Sequence, residues 1–356
     1  MFADTHYVPV LRWKRGERGA LSDLTPSDRA SITPLIEVLP GYMRPRRSEQ
    51  DDLWVAAVQV IDACGAAPIF LDVSKVVNTP YRGSTDRPVE RLYSALGAAG
   101  VHAIPTTTLS HPQALQKIVA AVVKIDNRGM ALRVPVASLQ SADFRETLQQ
   151  VLAQCEVLPE SVDLIVEYGV VGNAPVAFSY VCHRLPLLKR WRTFTILAGS
   201  FPTNLMDFKK PGQYEIPREE WKLWLSEIRR LPSLPRRPTF GDYTVQHPIY
   251  YEPVDGANPS ASIRYTCDTY WIVMRGQGLR NKQGTKHAQY PANAELLCGR
   301  KEFAGAHYSP GDEYIWNIGS HKEPGPGTPE TWIRAGINHH ISLVARQVPA
   351  STAMIG

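Results

Sequence analysis

The sequence lacks a membrane-spanning segment and a disulfide framework. No stretch approaches the roughly 18 uncharged apolar residues that a membrane helix needs, and the opening MFADTHYVPV has no basic segment followed by an apolar one. The cysteines are odd in number and never form a C-x-x-C pair: Cys64, Cys155, Cys182, Cys267 and Cys298. These absences predict a cytoplasmic protein with no membrane contact, no disulfides and no structural zinc.

Familiar catalytic motifs are missing too. The sequence contains no G-x-x-x-x-G-K-[ST], G-x-G-x-x-G, H-E-x-x-H or G-x-S-x-G, which removes the usual support for P-loop, dinucleotide, zincin and hydrolase-elbow mechanisms. We therefore interpret Ser200 as a loop cap and not as a nucleophile. The pair His339-His340 suggests a metal, but on a strand the two rings would point to opposite faces and would not share one ion.

Composition and charge are those of an ordinary globular protein with a mildly basic balance. Hydrophobic residues make up 44% and charged residues 21%, and the net charge is +5. Such a charge permits binding to phosphates or nucleic acid, although solvated surface charge is the simpler interpretation. Local basic clusters occur at Arg44–Arg47, Lys209-Lys210, Arg229-Arg230 and Arg236-Arg237.

Short β-rich runs recur through the first two-thirds of the chain. Each is rich in Val, Ile, Leu or Thr and is bounded by Gly, Pro, Asp or Ser, as buried strands are. They are VPVLRWK (8–14), ITPLIEV (32–38), PIFLDVS (68–74), HAIPTTTL (102–109), MALRVPV (130–136), DLIVEYG (163–169), TFTILAGS (193–200) and YTVQHPIYY (243–251). The sequence therefore predicts eight strands.

Helical patterns lie between most of these strands. Asp143 with Glu146 resembles a capping box, and Pro26 should split the first connection into two pieces. The predicted helices are Gln50–Cys64, Pro88–Ala99, Pro112–Ile125, Asp143–Cys155 and Pro175–Leu185. Eight strand–helix units in about 250 residues favour an α/β fold of the (β/α)₈ TIM-like barrel type over an open doubly wound sheet, which remains the alternative.

The chain changes character from Pro253 onward. Clear helical periodicity fades, ASIRYTCDTYWIVMRGQG (261–278) predicts one or two strands, and the proline-rich residues 322–329 predict a loop. We therefore expect a barrel over residues 1–252 and a C-terminal elaboration over residues 253–356 that packs on it.

Charged residues stand near the ends of five predicted strands. In a (β/α)₈ barrel the carboxyl ends of the strands form the functional face. Strand alternation places Asp72 inward, opposite Ile69, Leu71 and Val73. The residues are Arg12, Lys14, Glu37, Asp72, Arg133 and Glu167.

These charges have two interpretations. Arg12, Lys14 and Arg133 suit an anionic ligand, while Glu37, Asp72 and Glu167 suit general acid/base catalysis or a divalent cation such as Mg²⁺ or Mn²⁺. The alternative is a buried ion-pair lattice that only closes the barrel.

Several segments together resemble the phage and bacterial "beta protein" family. They are YVPVLRWKRGERGAL, ITPLIEV, FLDVS, IRYTCDTYWIVMRG, YSPGDEYIWNIG and WIRAGINHHISLVARQ. The resemblance covers nearly the whole chain and implies a role in phage–host conflict, without an assigned activity. The matching positions are Arg12, Lys14, Glu37, Asp72, Arg264, Tyr265, Arg275, Gly276, Gly311, Asp312, His339 and His340, so the resemblance adds Arg264 and Arg275 as substrate-binding candidates.

Taken together, the charged residues predict a hydrolase acting on a nucleotide or nucleic-acid phosphoester, and the family resemblance implies that it acts in anti-phage defence. The competing hypothesis is a non-catalytic scaffold or sensor that binds a phage component or a partner protein, for example one encoded in the same locus. A nucleic-acid binder without chemistry is a third hypothesis, but no helix-turn-helix or zinc finger supports it.

Overall fold

A computed structural model describes most of the chain. The described residues are 2–39, 49–76, 88–173, 175–230, 234–252, 256–281, 285–322 and 325–353. The basic cluster Arg44–Arg47 lies outside them.

Eight parallel strands close into a barrel, as predicted. The barrel strands are β1 (Tyr7–Arg12), β2 (Leu35–Glu37), β3 (Ile69–Asp72), β4 (Ala103–Thr108), β5 (Met130–Pro135), β6 (Val162–Val170), β7 (Thr193–Gly199) and β9 (Thr239–Asp242). Strand β9 pairs with β7 on one side and with β1 on the other, which closes the ring. The intervening strand β8 (Gly212–Pro217) belongs to a different sheet.

Helices follow the barrel strands. They are α1 (Arg15–Ser22), α2 (Pro26–Ala30), α3 (Glu49–Cys64), α4 (Pro88–Ala98), α5 (Gln113–Asp126), α6 (Phe144–Gln154), α7 (Phe178–Arg184) and α8 (Glu219–Arg230). Pro26 divides the first connection into α1 and α2, as expected. The prediction of a capping box was wrong. Asp143 precedes α6 but makes no side-chain capping bond, because its backbone is not extended and its carboxylate accepts a hydrogen bond from Ser141 Oγ instead.

The eighth barrel strand was predicted in the wrong place. Residues 243–251 carry no strand, and the closing strand is the preceding Thr239–Asp242. The irregular segment is held by Arg12, whose Nη2 donates to the carbonyls of His247 and Pro248 at 2.7 and 2.8 Å. Strand β1 also ends at Arg12, and Lys14 lies at the N-cap of α1.

The C-terminal elaboration combines a small sheet with three helices. Its antiparallel sheet has the order β10 (Ser260–Thr266), β11 (Tyr270–Gly278), β8. Its helices are α9 (Gln289–Cys298), α10 (Pro310–Gly319) and α11 (Pro329–Ala353). The expectation of fading helicity was therefore wrong. Helix α11 is apolar on more than one side, because Ile337 and Val344 pack into the core around the barrel while Trp332 and Ala335 pack into the core of the elaboration, so it lacks a simple amphipathic period.

Helix α11 connects the elaboration to the barrel. Its Arg346 pairs with Asp28 of α2 and its Arg334 with Asp23 at the end of α1. No helix in the described part of the chain is long and apolar enough to cross a membrane.

Candidate functional site at the barrel mouth

The interior of the barrel has an apolar layer below a charged one. Val10, Leu35 and Phe70 pack together inside the barrel, and the charged residues lie two positions further along the same strands. Arg12, Glu37 and Asp72 are in register across β1, β2 and β3. The predicted inward orientation of Asp72 is thus confirmed, with Leu71 and Val73 in the outer core.

Arg133 lies at the centre of the charged layer, and three carboxylates surround it. Its Nη1 donates to Glu37 Oε1 at 3.0 Å and to Asp72 Oδ2 at 2.7 Å. Its Nε and Nη2 donate to the two oxygens of Glu167 at 3.0 and 2.8 Å, and Nη2 is 3.4 Å from Tyr243 OH. The fork of the guanidinium is therefore fully engaged by protein groups.

The electrostatics keep Asp72, Glu167 and Arg133 ionised. Burial alone would raise the pKa of Asp72, but the Arg133 guanidinium and the hydrogen bonds from Ser74 outweigh it and hold the pKa below its usual value. Glu167 behaves in the same way: burial is opposed by Arg133 and by the Tyr243 hydroxyl, and the pKa falls. Burial in turn would lower the pKa of Arg133, but Glu167, Tyr243 and the other acids raise it.

Two further cations reach this cluster from the strand ends. Lys75 Nζ lies 2.9 Å from Glu37 Oε2. Arg12 Nε lies 3.7 Å from the same oxygen, and Arg12 Nη1 donates to Gln246 Oε1 at 3.0 Å. Glu37 is therefore shared among three basic side chains.

Three cations lie around one aromatic ring at the barrel mouth. The centroid of the Tyr250 ring lies 4.4 Å from Lys14 Nζ, 5.3 Å from Arg12 Cζ and 5.8 Å from Lys75 Nζ. These distances suit cation–π attraction. We call Arg12, Lys14 and Lys75 the rim cations.

The structure does not bring the two C-terminal arginines to Arg133. Arg264, on β10, donates from Nη1 to Val245 O at 2.7 Å and lies 4.7 Å from the Phe201 ring. Arg275, on β11, donates to Phe208 O. Arg264 therefore contacts the segment that follows β9, whereas Arg275 binds the residues that precede β8 of the small sheet.

His339 and His340 occupy a helix and not a strand. His340 Nε2 lies 2.9 Å from Asp242 Oδ2 of β9, whereas His339 Nδ1 lies 2.8 Å from Asp312 Oδ2 of α10. Both imidazoles are fully buried. They join different parts of the protein, and the described residues contain no group of three or more His, Cys, Asp or Glu placed to hold a metal ion.

Sequence reasoning missed several members of the mouth. Lys75 stands three residues after Asp72. The rule that selected Asp72, which looks for charged residues at the carboxyl ends of the strands and is called the strand-end rule below, could also have found Lys75. Tyr243, Gln246 and Tyr250 fell within the stretch predicted as a strand. Ser200, interpreted as a loop cap, accepts a hydrogen bond from Glu219 N at the start of α8, at 2.9 Å.

Fold and site define a parallel (β/α)₈ barrel with a charged mouth and a C-terminal elaboration. The model of the Beta protein family matches residues 7–346, and the chain belongs to that family. No curated protein matches the chain.

Proposed function

We propose that the barrel mouth binds a phosphate-bearing ligand, a nucleotide or a nucleic-acid phosphate, and hydrolyses its phosphoester. The observation that carries this proposal is the gathering of Arg12, Lys14 and Lys75 around one ring. Like charges this close repel one another, and an anion bound among them relieves that repulsion.

Lys75 is the rim cation best placed for a ligand. About a third of its side chain is exposed, at 36%, and an ammonium group has three donors. Glu37 takes one of them but is also held by Arg133 and Arg12. Lys75 therefore has donors to offer to a phosphoryl oxygen.

Glu167 is the carboxylate that we assign to proton transfer. Its side chain is 20% exposed, whereas those of Glu37 and Asp72 are 6% and 5% exposed. A general base must reach the water that it activates, and of these three acids Glu167 is the most open to water.

A divalent cation such as Mg²⁺ or Mn²⁺ would find suitable oxygen donors here, but not a vacant space between them. The three carboxylates converge on Arg133, which supplies the positive charge at the position where a metal would otherwise sit. We therefore assign no step to a metal.

The closed network around Arg133 favours a second candidate function. If its charges are satisfied internally, the barrel serves as a binding module that senses a phage component or a partner protein without chemistry. The phage–host setting itself comes from the family resemblance and is part of the proposal.

Calorimetric titration with inorganic phosphate and adenosine monophosphate tests the binding step. Lys75→Gln should weaken binding at the mouth at least tenfold. Lys124→Gln is the matched control, because Lys124 is exposed in the last turn of α5, at the opposite end of the barrel, and it should bind as the unaltered chain does. Equal affinity in both variants would contradict the proposal.

A phosphoesterase assay separates the two functions. Glu167→Gln should bind phosphate but lose turnover, if the mouth is catalytic. Binding without measurable turnover in the unaltered chain would leave the sensor as the function.

A further inference from the structure

A second cleft lies beside the mouth, where the start of α1 faces the elaboration. Its volume is about 430 Å³, within the range of about 300–1,000 Å³ that small-molecule pockets occupy. Lys14, Glu17 and Gln246 line it from the barrel side, and Arg264 and Ile333 line it from the elaboration. With Arg15, Pro329 and Glu330 also in its lining, the cleft has three cations, two acids, one amide and an apolar wall.

Arg264 brings a positive charge to this cleft without an ion-pair partner. Among the residues that the structure describes, no carboxylate oxygen lies within 4 Å of its guanidinium; its contacts are Val245 O and the Phe201 ring. Burial lowers the pKa of Arg264 to about 10, and Glu17 offsets only part of that effect. Arg133 and Arg218, by contrast, each have a carboxylate within 4 Å.

Lys14 is the second such cation. Its ammonium lies over the Tyr250 ring, and within the described ranges it has no carboxylate within 4 Å. Burial lowers the pKa of Lys14, with Glu17 opposing the shift. The cleft therefore holds two basic groups whose charges are incompletely balanced.

The acids of the cleft do not supply that balance. Glu17 is 3% exposed, and its carboxyl group accepts from Gln246 Nε2 at 3.0 Å. Burial raises the pKa of Glu17, so its negative charge is less firmly held than that of an exposed glutamate. Glu330 is at the edge of the cleft, and its Oε2 lies 3.2 Å from Arg15 Nε.

We infer that this cleft is a second anion-binding site, which borders the mouth and shares Lys14 with it, and that it holds the phosphoryl group of a small organic phosphate between Arg264 and Lys14. A guanidinium fork matches two phosphoryl oxygens, and an ammonium adds a point charge. Gln246 offers an amide to the polar part of the ligand, while Pro329 and Ile333 face its apolar part. The site goes beyond the proposed function, because Arg264, its guanidinium, is not one of the rim cations.

The test uses the full chain with Lys75→Gln, which weakens binding at the mouth. Titration with adenosine monophosphate should still show one binding event in K75Q. Adding Arg264→Gln should weaken that event at least tenfold. Arg264→Lys keeps the charge but loses the fork, so it should cause a smaller loss and serves if R264Q does not fold. Arg190→Gln is the control, since Arg190 is 51% exposed beside Glu160, away from the cleft.

The outcomes separate the two sites. If K75Q alone abolishes binding, the phosphate binds only at the mouth and the inference is wrong. If R264Q binds as tightly as its parent, the inference also fails, whatever happens at the mouth. If neither adenosine monophosphate nor inorganic phosphate binds the unaltered chain at low salt, both proposals fall. Protection of Lys14 from acetylation by the ligand in K75Q, lost when Arg264→Gln is added, gives a second readout by mass spectrometry.

Discussion

Arg133 Nη1 lies 2.7 Å from Asp72 Oδ2 and so holds a carboxylate from β3 against a guanidinium from β5, across the interior of the barrel. The same nitrogen lies 3.0 Å from Glu37 Oε1. Asp72 and Glu37 are in register on adjacent strands, where like charges repel. One buried cation therefore allows two acids to share a layer.

This arrangement predicts an order of stabilities. Arg133→Met leaves three acids without their shared cation and should cost about 3–5 kcal/mol, the usual loss when a buried pair is broken. Asp72→Asn should cost less, about 1–3 kcal/mol, because Arg133 keeps Glu37 and Glu167. Urea denaturation at pH 7 measures both. A larger loss in D72N than in R133M would show that Arg133 is not the centre of the network.

Glu220 should make stability depend on pH. It is fully buried, and burial raises its pKa to about 7 despite the opposing charge of Arg218. An acid whose pKa is raised by folding stabilises the folded state below its ordinary pKa near 4.5, and that contribution is lost as the pH rises through 7. Glu220→Gln cannot titrate. We compare the free energy of unfolding of E220Q with that of the unaltered chain. The difference, E220Q minus the unaltered chain, should therefore increase by about 2–3 kcal/mol between pH 4.5 and 8.

The comparison with E220Q is needed because histidines act in the opposite direction. Burial lowers the pKa of His340 and lowers that of His6 to about 4, so both destabilise the folded chain below the ordinary histidine pKa near 6.5. Denaturation curves of both proteins at several pH values isolate Glu220. A constant difference across the range would show that its pKa is ordinary.

Gly336 lies where α11 meets the small sheet, and alanine should not fit there. A Cβ at this position would lie 2.6 Å from the backbone carbonyl oxygen of Arg264. Overpacking of this kind costs typically about 1–3 kcal/mol, so Gly336→Ala should lower the melting temperature. Gly299→Ala is the control, because its Cβ would meet nothing closer than 3.6 Å, and its melting temperature should stay within a degree or two.

Any affinity for nucleic acid should be mostly electrostatic. The chain carries a net charge of +5, and the rim cations stand at the mouth. Counterion release then makes binding fall steeply with salt. Filter binding of an oligonucleotide at about 50 and 200 mM salt checks this expectation. Affinity that does not change with salt would point to contacts other than phosphates.

Much of the barrel and of its central cluster could be predicted from the sequence. Strand alternation oriented Asp72 correctly, and the strand-end rule selected Arg133, Glu37 and Glu167, which the fold brings together. These successes share a cause: a buried parallel strand has a strict period of two, and its carboxyl end has a fixed place in the fold.

Other parts depend on contacts between distant residues and could not be predicted. The last barrel strand, Thr239–Asp242, has four residues and little hydrophobic pattern; its pairing with β1 and β7 defines it. Residues 243–251 alternate like a strand, but Arg12 binds their carbonyl groups. His339 and His340 were assigned to a strand because a helix buried on several sides shows no amphipathic period.

The closure of the ring has a consequence for biosynthesis. Strand β1 emerges first from the ribosome, yet one of its two partners, β9, is made more than two hundred residues later. Tyr7 of β1 and His340 of α11 bind the two different carboxylate oxygens of Asp242. This junction can therefore be completed only after α11 has been synthesised. At roughly 5–20 residues per second, the first strand would spend ten seconds or more with an unpaired edge, the kind of surface that aggregates. We therefore expect nascent chains halted before Pro329 to be captured by chaperones and released when synthesis of α11 is complete.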